Sequence, residues 1–205
     1  QNNGECFIDL NENVRERDVF VVQTLGDPVN DLLIELSLII SALRRASANR
    51  IIAVVPYYAY GRQTRKLQSR TPISASDIAN LWEQMGVDQV VTVDLHHGQI
   101  AGFFSPSCSL DNLSCMPAAA RMLLQQGLRK PVVVAPHATG VTRAKELCDA
   151  LTELILADSA GAVFTPTIAM LLPSATHKKL ELIGEVHGCD AIVVDDVIDS
   201  GKSIT

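Results

Sequence analysis

The strongest constraint on this chain is an alternation of two hydrophobic periods. Short, nearly continuous apolar runs recur at Val19 to Val22 (VFVV), Ile51 to Val55 (IIAVV), Gln89 to Val93 (QVVTV), Val132 to Ala135 (VVVA) and Ala191 to Val194 (AIVV). Such runs suit strands buried on both faces of a parallel sheet. Stretches with helical spacing separate them. Asp27-Pro28 opens one, proline being tolerated in a first turn, and Leu32, Leu36, Ile39, Ile40 and Leu43 follow the 3.6-residue period. Ser74 and Asp77 have the spacing of a capping box, and Ile78, Leu81, Trp82 and Met85 form a stripe that Gly86 is expected to end. Pro117 to Gln126 and Val141 to Ala157 supply two more helices. The β-α-β-α-β order predicts an α/β fold of two similar, mainly parallel-sheet units with helices on both faces. The GLRKP stretch at 127 to 131 predicts the boundary, with an N-terminal α/β domain over 1–128 and a second domain over 129–205.

Composition narrows the function classes. Of 205 residues, 47% are apolar and 20% charged, so a sizeable core is available and global disorder is excluded. The net charge of -6 argues against a general nucleic-acid binder, so any polyanion site must be local. The five cysteines form no C-x-x-C pair, which points to reduced thiols and a cytoplasmic compartment. No apolar run reaches the length of a membrane span, and no membrane partner is expected. The opening residues, QNNGE, are neither a signal peptide nor a methionine start. The final SGKSIT breaks off where a helix is expected, so the chain reads as truncated at both ends.

Residues 191 to 205, AIVVDDVIDSGKSIT, carry the most information. A buried strand ends in Asp195 and Asp196, and a turn with Asp199, Ser200, Gly201, Lys202 and Ser203 follows. Backbone N–H groups of a Gly-containing turn at a helix N-terminus bind phosphate, and the two serines add hydroxyl donors. Paired carboxylates at a strand's C-terminal end can accept ribose hydroxyls or hold Mg²⁺. A Walker A loop is excluded, because Asp196 stands where its first glycine would be. The bland alternative is an acidic turn capping a helix. Two further clusters are weaker alone. Arg62, Arg65, Lys66 and Arg70 sit within GRQTRKLQSR, either a triphosphate site or a solvated basic loop. Asp94 and His96, in VDLHHGQ, are either a metal region or surface residues after a strand.

Taken together these segments resemble the ribose-phosphate pyrophosphokinase (PRPP synthetase) family, within the type I phosphoribosyltransferase-like fold. The likeness runs from Gln1 to Thr205: N-x-E at Asn3 and Glu5, N-V-R-x-x-D-V at 13 to 19, RQ at 62 to 63, S-R-x-P-I-S at 69 to 74, D-L-H at 94 to 96, G-F-F at 102 to 104 and V-D-D-x-x-D-[ST]-G at 194 to 201. The resemblance implies that the 1-hydroxyl of ribose 5-phosphate attacks the β-phosphorus of MgATP, giving PRPP and AMP for nucleotide biosynthesis. It implies ATP contacts at Arg62, Gln63, Arg65 and Lys66, with Asn3 and Glu5 reaching a neighbouring subunit's adenine in a homo-oligomer. Asp94 and His96 become the metal region, with His96 catalytic. Asp195 and Asp196 become the ribose site, and Asp199 to Ser203 the 5-phosphate site. Phosphate activation and ADP inhibition near Ser69-Arg70 are further implications.

The sequence departs from the family twice. A P-D-A-G-G turn reads Pro136-His137-Ala138-Thr139-Gly140 here, so His137 replaces an acid and only an imidazole remains as metal ligand. Thr139 brings a β-branched side chain where a positive φ is expected. The family's K-x-R lid aligns with Thr165 to Pro173 (TPTIAMLLP), which has no Lys or Arg; Lys178 and Lys179 are out of register. An active synthetase is therefore weighed against a silent synthetase-like regulatory subunit and, third, a nucleobase phosphoribosyltransferase, which the ATP-loop and D-L-H matches disfavour.

Overall fold

The computed structural model describes residues 4–66, 68–157, 165–173 and 180–198. Contacts divide the chain into two compact units, Gln1–Ser114 and Cys115–Thr205. The expected division at 128/129 lies later and leaves the helix Met116–Leu124 in the first unit. Its Met116 and Ala120 are buried against Ala144, Leu147 and Leu151 of the helix Val141–Ala157, so it belongs to the second.

In the first unit, strands β1 (Asp18–Val22), β2 (Arg50–Val55), β3 (Gln89–Val93) and β4 (Ser109–Leu113) form an all-parallel sheet in that order. Helices α1 (Val29–Arg45) and α2 (Ser74–Met85) connect the first three strands. Each crossover steps the same way along the sheet, so right-handed connections put both helices on one face. Leu33, Leu36, Ile40, Ile78, Ala79 and Trp82 there pack on Ile51, Ala53, Val55 and Val90. On the other face of β1, Phe20 and Val22 are exposed. Gly86 ends α2 in the left-handed region at φ 101°, as its place after the apolar stripe predicts. The expected capping box is absent: Ser74 lies inside the helix, and its hydroxyl donates to Gln63 Oε1 at 2.6 Å.

In the second unit, β5 (Val132–Ala135), β6 (Thr167–Pro173), β7 (Leu180–Ile183) and β8 (Ala191–Val193) lie in the order β7-β6-β5-β8. Pairs β5–β6 and β5–β8 are parallel, and β6–β7 is antiparallel. Helices α3 (Met116–Leu124) and α4 (Val141–Ala157) cover the face of Val133 and Ala135. The stretch matched to a lid is thus an inner strand, β6, whose Ala169 is buried and whose Met170 packs on the helical face. Lys178 and Lys179 lie outside the described residues. No described helix is long and apolar enough to cross a membrane.

Candidate functional site

The first unit's candidate site is the loop that leaves the carboxyl end of β2. Tyr58 anchors it: buried, its hydroxyl donates to Ala75 O at 2.9 Å, and its ring meets Trp82 edge-on at 5.4 Å between centroids. Burial pushes its hydroxyl pKa up, and nearby Cys108 adds to the shift. A Cβ at residue 61 would lie 3.0 Å from Tyr58 O, so glycine lets the chain double back there. Tyr60 adopts φ 61°, its hydroxyl donates to Asn30 Oδ1 at 2.5 Å, and its carbonyl accepts the Gln63 N–H at 2.8 Å. Arg62 and Gln63 share the wall of a cavity of about 310 Å³ with Asn30, Tyr57 and Tyr60. Arg65, Lys66 and Arg70 stand exposed on the same loop, so the basic residues follow the carboxyl end of β2. Aromatic walls beside guanidinium and ammonium groups suit a planar base carrying phosphates.

Asp94 and His96 follow β3. The Asp94 backbone, at φ 46°, donates its N–H to Leu113 O at 2.9 Å, and the Leu95 N–H donates to Asn112 Oδ1 at 3.0 Å. These bonds tie the loop to the end of β4. The His96 and His97 rings lie 4.4 Å apart. Among the described residues no group of three or more His, Cys, Asp or Glu gathers as a metal site. Asp94 and His96 supply at most a partial donor set, which suits Mg²⁺ only when water and phosphate oxygens complete its shell. The donor chemistry therefore fits a cation that arrives with a nucleotide's phosphates. Glu5 is exposed in the irregular segment before β1, while Asn3 lies outside the described residues.

The second unit's candidate site sits between β5 and β8. The chain leaves β5 through α4 to β6 on one side, whereas β8 pairs with β5 on the other. This reversal is a topological switch point, where open α/β sheets bind ligands beyond the strands' carboxyl ends. The Val194 N–H donates to Val134 O at 3.1 Å, which brings the two strand ends together. Asp195 and His137, 58 residues apart, meet there: His137 Nε2 donates to Asp195 Oδ1 at 3.3 Å. The same oxygen accepts the Asp196 N–H at 2.9 Å, and the Asp195 side chain is only 4% exposed. Thr139 Oγ1 lies 2.7 Å from His137 Nδ1.

Both imidazole nitrogens are thus occupied, and the ring as placed turns no lone pair toward a metal. Thr139 departs from expectation too. It lies in the 3-10 turn Ala138–Gly140 and is not among the positive-φ residues, so its branched side chain fits. Asp199, Ser200, Gly201, Lys202 and Ser203 lie outside the described residues. Sequence reasoning did not find Asn30, Tyr57 and Tyr60 as site residues. The tyrosine-rich run Pro56-Tyr57-Tyr58-Ala59-Tyr60 directly after a buried strand was the available signal.

Residues 1–86 match the family model for the N-terminal domain of ribose phosphate pyrophosphokinase. The ribose-phosphate pyrophosphokinase of Vibrio parahaemolyticus is 41% identical over 203 residues, and that of Rhizobium meliloti 43% over 201. Each alignment covers 98% of this chain and 61% of the relative. A crystal structure of phosphoribosylpyrophosphate synthetase from Mycobacterium smegmatis superposes with a TM-score of 0.83 at 34% identity, covering 98% of this chain and 62% of that one. The chain thus spans 61% of the length of the curated relatives it matches.

Proposed function

We propose that this chain belongs to the ribose-phosphate pyrophosphokinase family over the part it spans, and that it acts in the synthesis of PRPP. It transfers the diphosphoryl group of MgATP to the 1-hydroxyl of ribose 5-phosphate and releases AMP. One observation carries this reading: Asp195 lies at the switch point of the second sheet, in a chain whose first sheet carries a basic, tyrosine-lined loop after the carboxyl end of β2. A phosphoribosyltransferase has use for the first of these features alone.

The residues divide the work. Arg62, Gln63, Arg65 and Lys66 bind the nucleotide and its phosphates, with Asn3 and Glu5 at a neighbouring copy's base. Asp94 and His96 would hold Mg²⁺ with those phosphates, and the chemistry it would supply there is neutralisation of charge on the transferring group. Asp195 and Asp196 orient the ribose diol, and residues 199 to 203 take the 5-phosphate. Holding the 1-hydroxyl in line with the β-phosphorus supplies most of the rate, because phosphoryl transfer asks the protein mainly for position and charge. A cytoplasmic homo-oligomer, activated by phosphate and inhibited by ADP near Ser69-Arg70, completes the reading. Nucleic acid and membranes have no part in it.

A second reading has specific support. The stretch at the family's lid position contains no Lys or Arg, and its 167–173 part is sheet. Loss of a transition-state cation costs roughly 10³-fold or more in rate. A silent subunit that modulates an active synthetase accounts for that loss. Purified protein incubated with MgATP and ribose 5-phosphate, with AMP followed over time, separates the two. AMP release supports the enzyme. No AMP alone, with altered turnover on mixing with an active synthetase, supports the regulator. In the enzyme case, Asp195→Asn with Asp196→Asn raises KM for ribose 5-phosphate about tenfold or more and moves KM for ATP less than about twofold. Equal effects on both substrates would displace the sugar site.

A further inference from the structure

Asp195 is a nearly buried carboxylate beside a second acid. Such a group must be met by a cation or by hydrogen-bond donors, since an unmet buried charge is strongly unfavourable. A divalent ion is one solution at the mouth of a sugar-phosphate site. This chain supplies another. His137 Nε2 and the Asp196 N–H both donate to Asp195 Oδ1, at 3.3 and 2.9 Å. Thr139, 2.7 Å from Nδ1, closes the other side of the ring. The Nε2–H tautomer donates to Asp195 and accepts the Thr139 hydroxyl at Nδ1, and an imidazolium donates at both nitrogens; the Nδ1–H tautomer would set the Nε2 lone pair against the carboxylate oxygen, so a carboxylate at 3.3 Å selects the first two. Neither form offers a lone pair to a metal. The arrangement also fixes which carboxylate oxygen is taken: Oδ1 holds the protein donors, and Oδ2 is the one left to accept a ribose hydroxyl.

We propose that the second unit binds ribose 5-phosphate without a divalent cation, the Thr139–His137 pair standing in for the metal at Asp195. His137 is here a positioning residue, acting through the carboxylate. The proposal rests on the sugar-site reading above. It separates the two Mg²⁺ requirements that a MgATP-dependent reaction ordinarily merges: the metal is needed with the nucleotide and not with the sugar phosphate.

The test is calorimetric titration of ribose 5-phosphate into the whole chain, with AMP present to fill the nucleotide site, in excess EDTA and in excess Mg²⁺. The expected Kd values agree within about twofold. His137→Asp sets two carboxylates against each other, so its affinity in EDTA is expected to fall about tenfold or more, and Mg²⁺ restores it. Wild-type binding that requires Mg²⁺ overturns the proposal while leaving the sugar site in place. A His137→Asp protein that binds equally well in EDTA overturns the role given to the imidazole. No binding in either condition overturns the sugar-site reading and the proposal with it.

Discussion

Tyr60 holds a backbone conformation that costs a bulky L-residue roughly 1 kcal/mol or more. The hydrogen bond from its hydroxyl to Asn30, across 30 residues, helps hold it there. With Tyr60 fixed, its carbonyl receives the Gln63 N–H and the turn presents Arg62 and Gln63 to the cavity. Ser74 restrains the Gln63 side chain from the start of α2. On the proposed ATP site, Asn30→Ala is therefore expected to weaken ATP about 3- to 10-fold, read as KM or as a calorimetric Kd, with kcat changed less than about twofold. Tyr60→Phe keeps the ring and should act in the same direction. A drop in kcat without weaker ATP binding would argue that the pair does not position this loop. Asn30 was not legible as a site residue in the sequence, and Tyr60 only through the tyrosine-rich run after β2. Motif spacing reports neighbours along the chain, whereas Asn30–Tyr60 and His137–Asp195 are made by the sheets.

At the scale of elements, one arginine joins helix to sheet. Arg44, in the last turn of α1, donates from Nε and Nη2 to Gly86 O at 3.1 and 2.6 Å and pairs with Asp88, whose Oδ2 also accepts the Ile51 N–H at 2.7 Å. The end of α1, the end of α2 and the starts of β2 and β3 thus share one polar knot. Because the pair is about one-third exposed, the ionic part counts for little and the hydrogen bonds for more. Arg44→Ala is expected to cost about 1–3 kcal/mol in denaturant unfolding, and Arg44→Lys should recover little, since an ammonium lacks the fork. In the second unit, a Cβ at Gly184 would lie 2.9 Å from Ala169 Cβ, on a backbone at φ 115°. Gly184→Ala should accordingly loosen the β6–β7 pairing by about 1–3 kcal/mol, measured the same way.

The elements show where apolar pattern suffices. β2, β3 and β5 were readable because central parallel strands are apolar on both faces; all four residues of β5 are buried. The edge strand β4 was missed because SLDNL is polar and mostly exposed. β6 has the apolar run TIAMLL of a sheet strand, a local pattern that its place in the family's lid motif does not override. Ser74 had the capping spacing but a nearer partner in Gln63.

For the molecule as a whole, the five thiols report on both units at once. Cys6 and Cys115 are exposed, Cys189 is half-buried, and Cys108 and Cys148 are buried, none of them in a disulfide. Burial, then Glu83 and Asp88, pushes the Cys108 thiol up to about 12. Burial and then Asp149 raise that of Cys148, against a lowering hydrogen bond with Thr152. Since the thiolate is the nucleophile, Cys108 in the first unit and Cys148 in the second should react with a thiol reagent only on unfolding, well after Cys6 and Cys115. The same shift sets the alkaline limit of the first unit. The ordinary thiol value is 9.0, so between pH 9 and 12 the unfolded chain has lost the Cys108 proton that the folded chain keeps. The unfolded state then binds fewer protons, and stability falls as pH rises, by at most about 1.4 kcal/mol per pH unit for this group. Tyr58, raised by burial and by Cys108, adds in the same direction at higher pH. Denaturant unfolding between pH 8 and about 10.5 should thus show declining stability. Cys108→Ala should flatten the decline, although it lowers stability at pH 8 by removing a buried side chain. An equally steep decline in that variant would mean that Cys108 does not keep its proton in the fold.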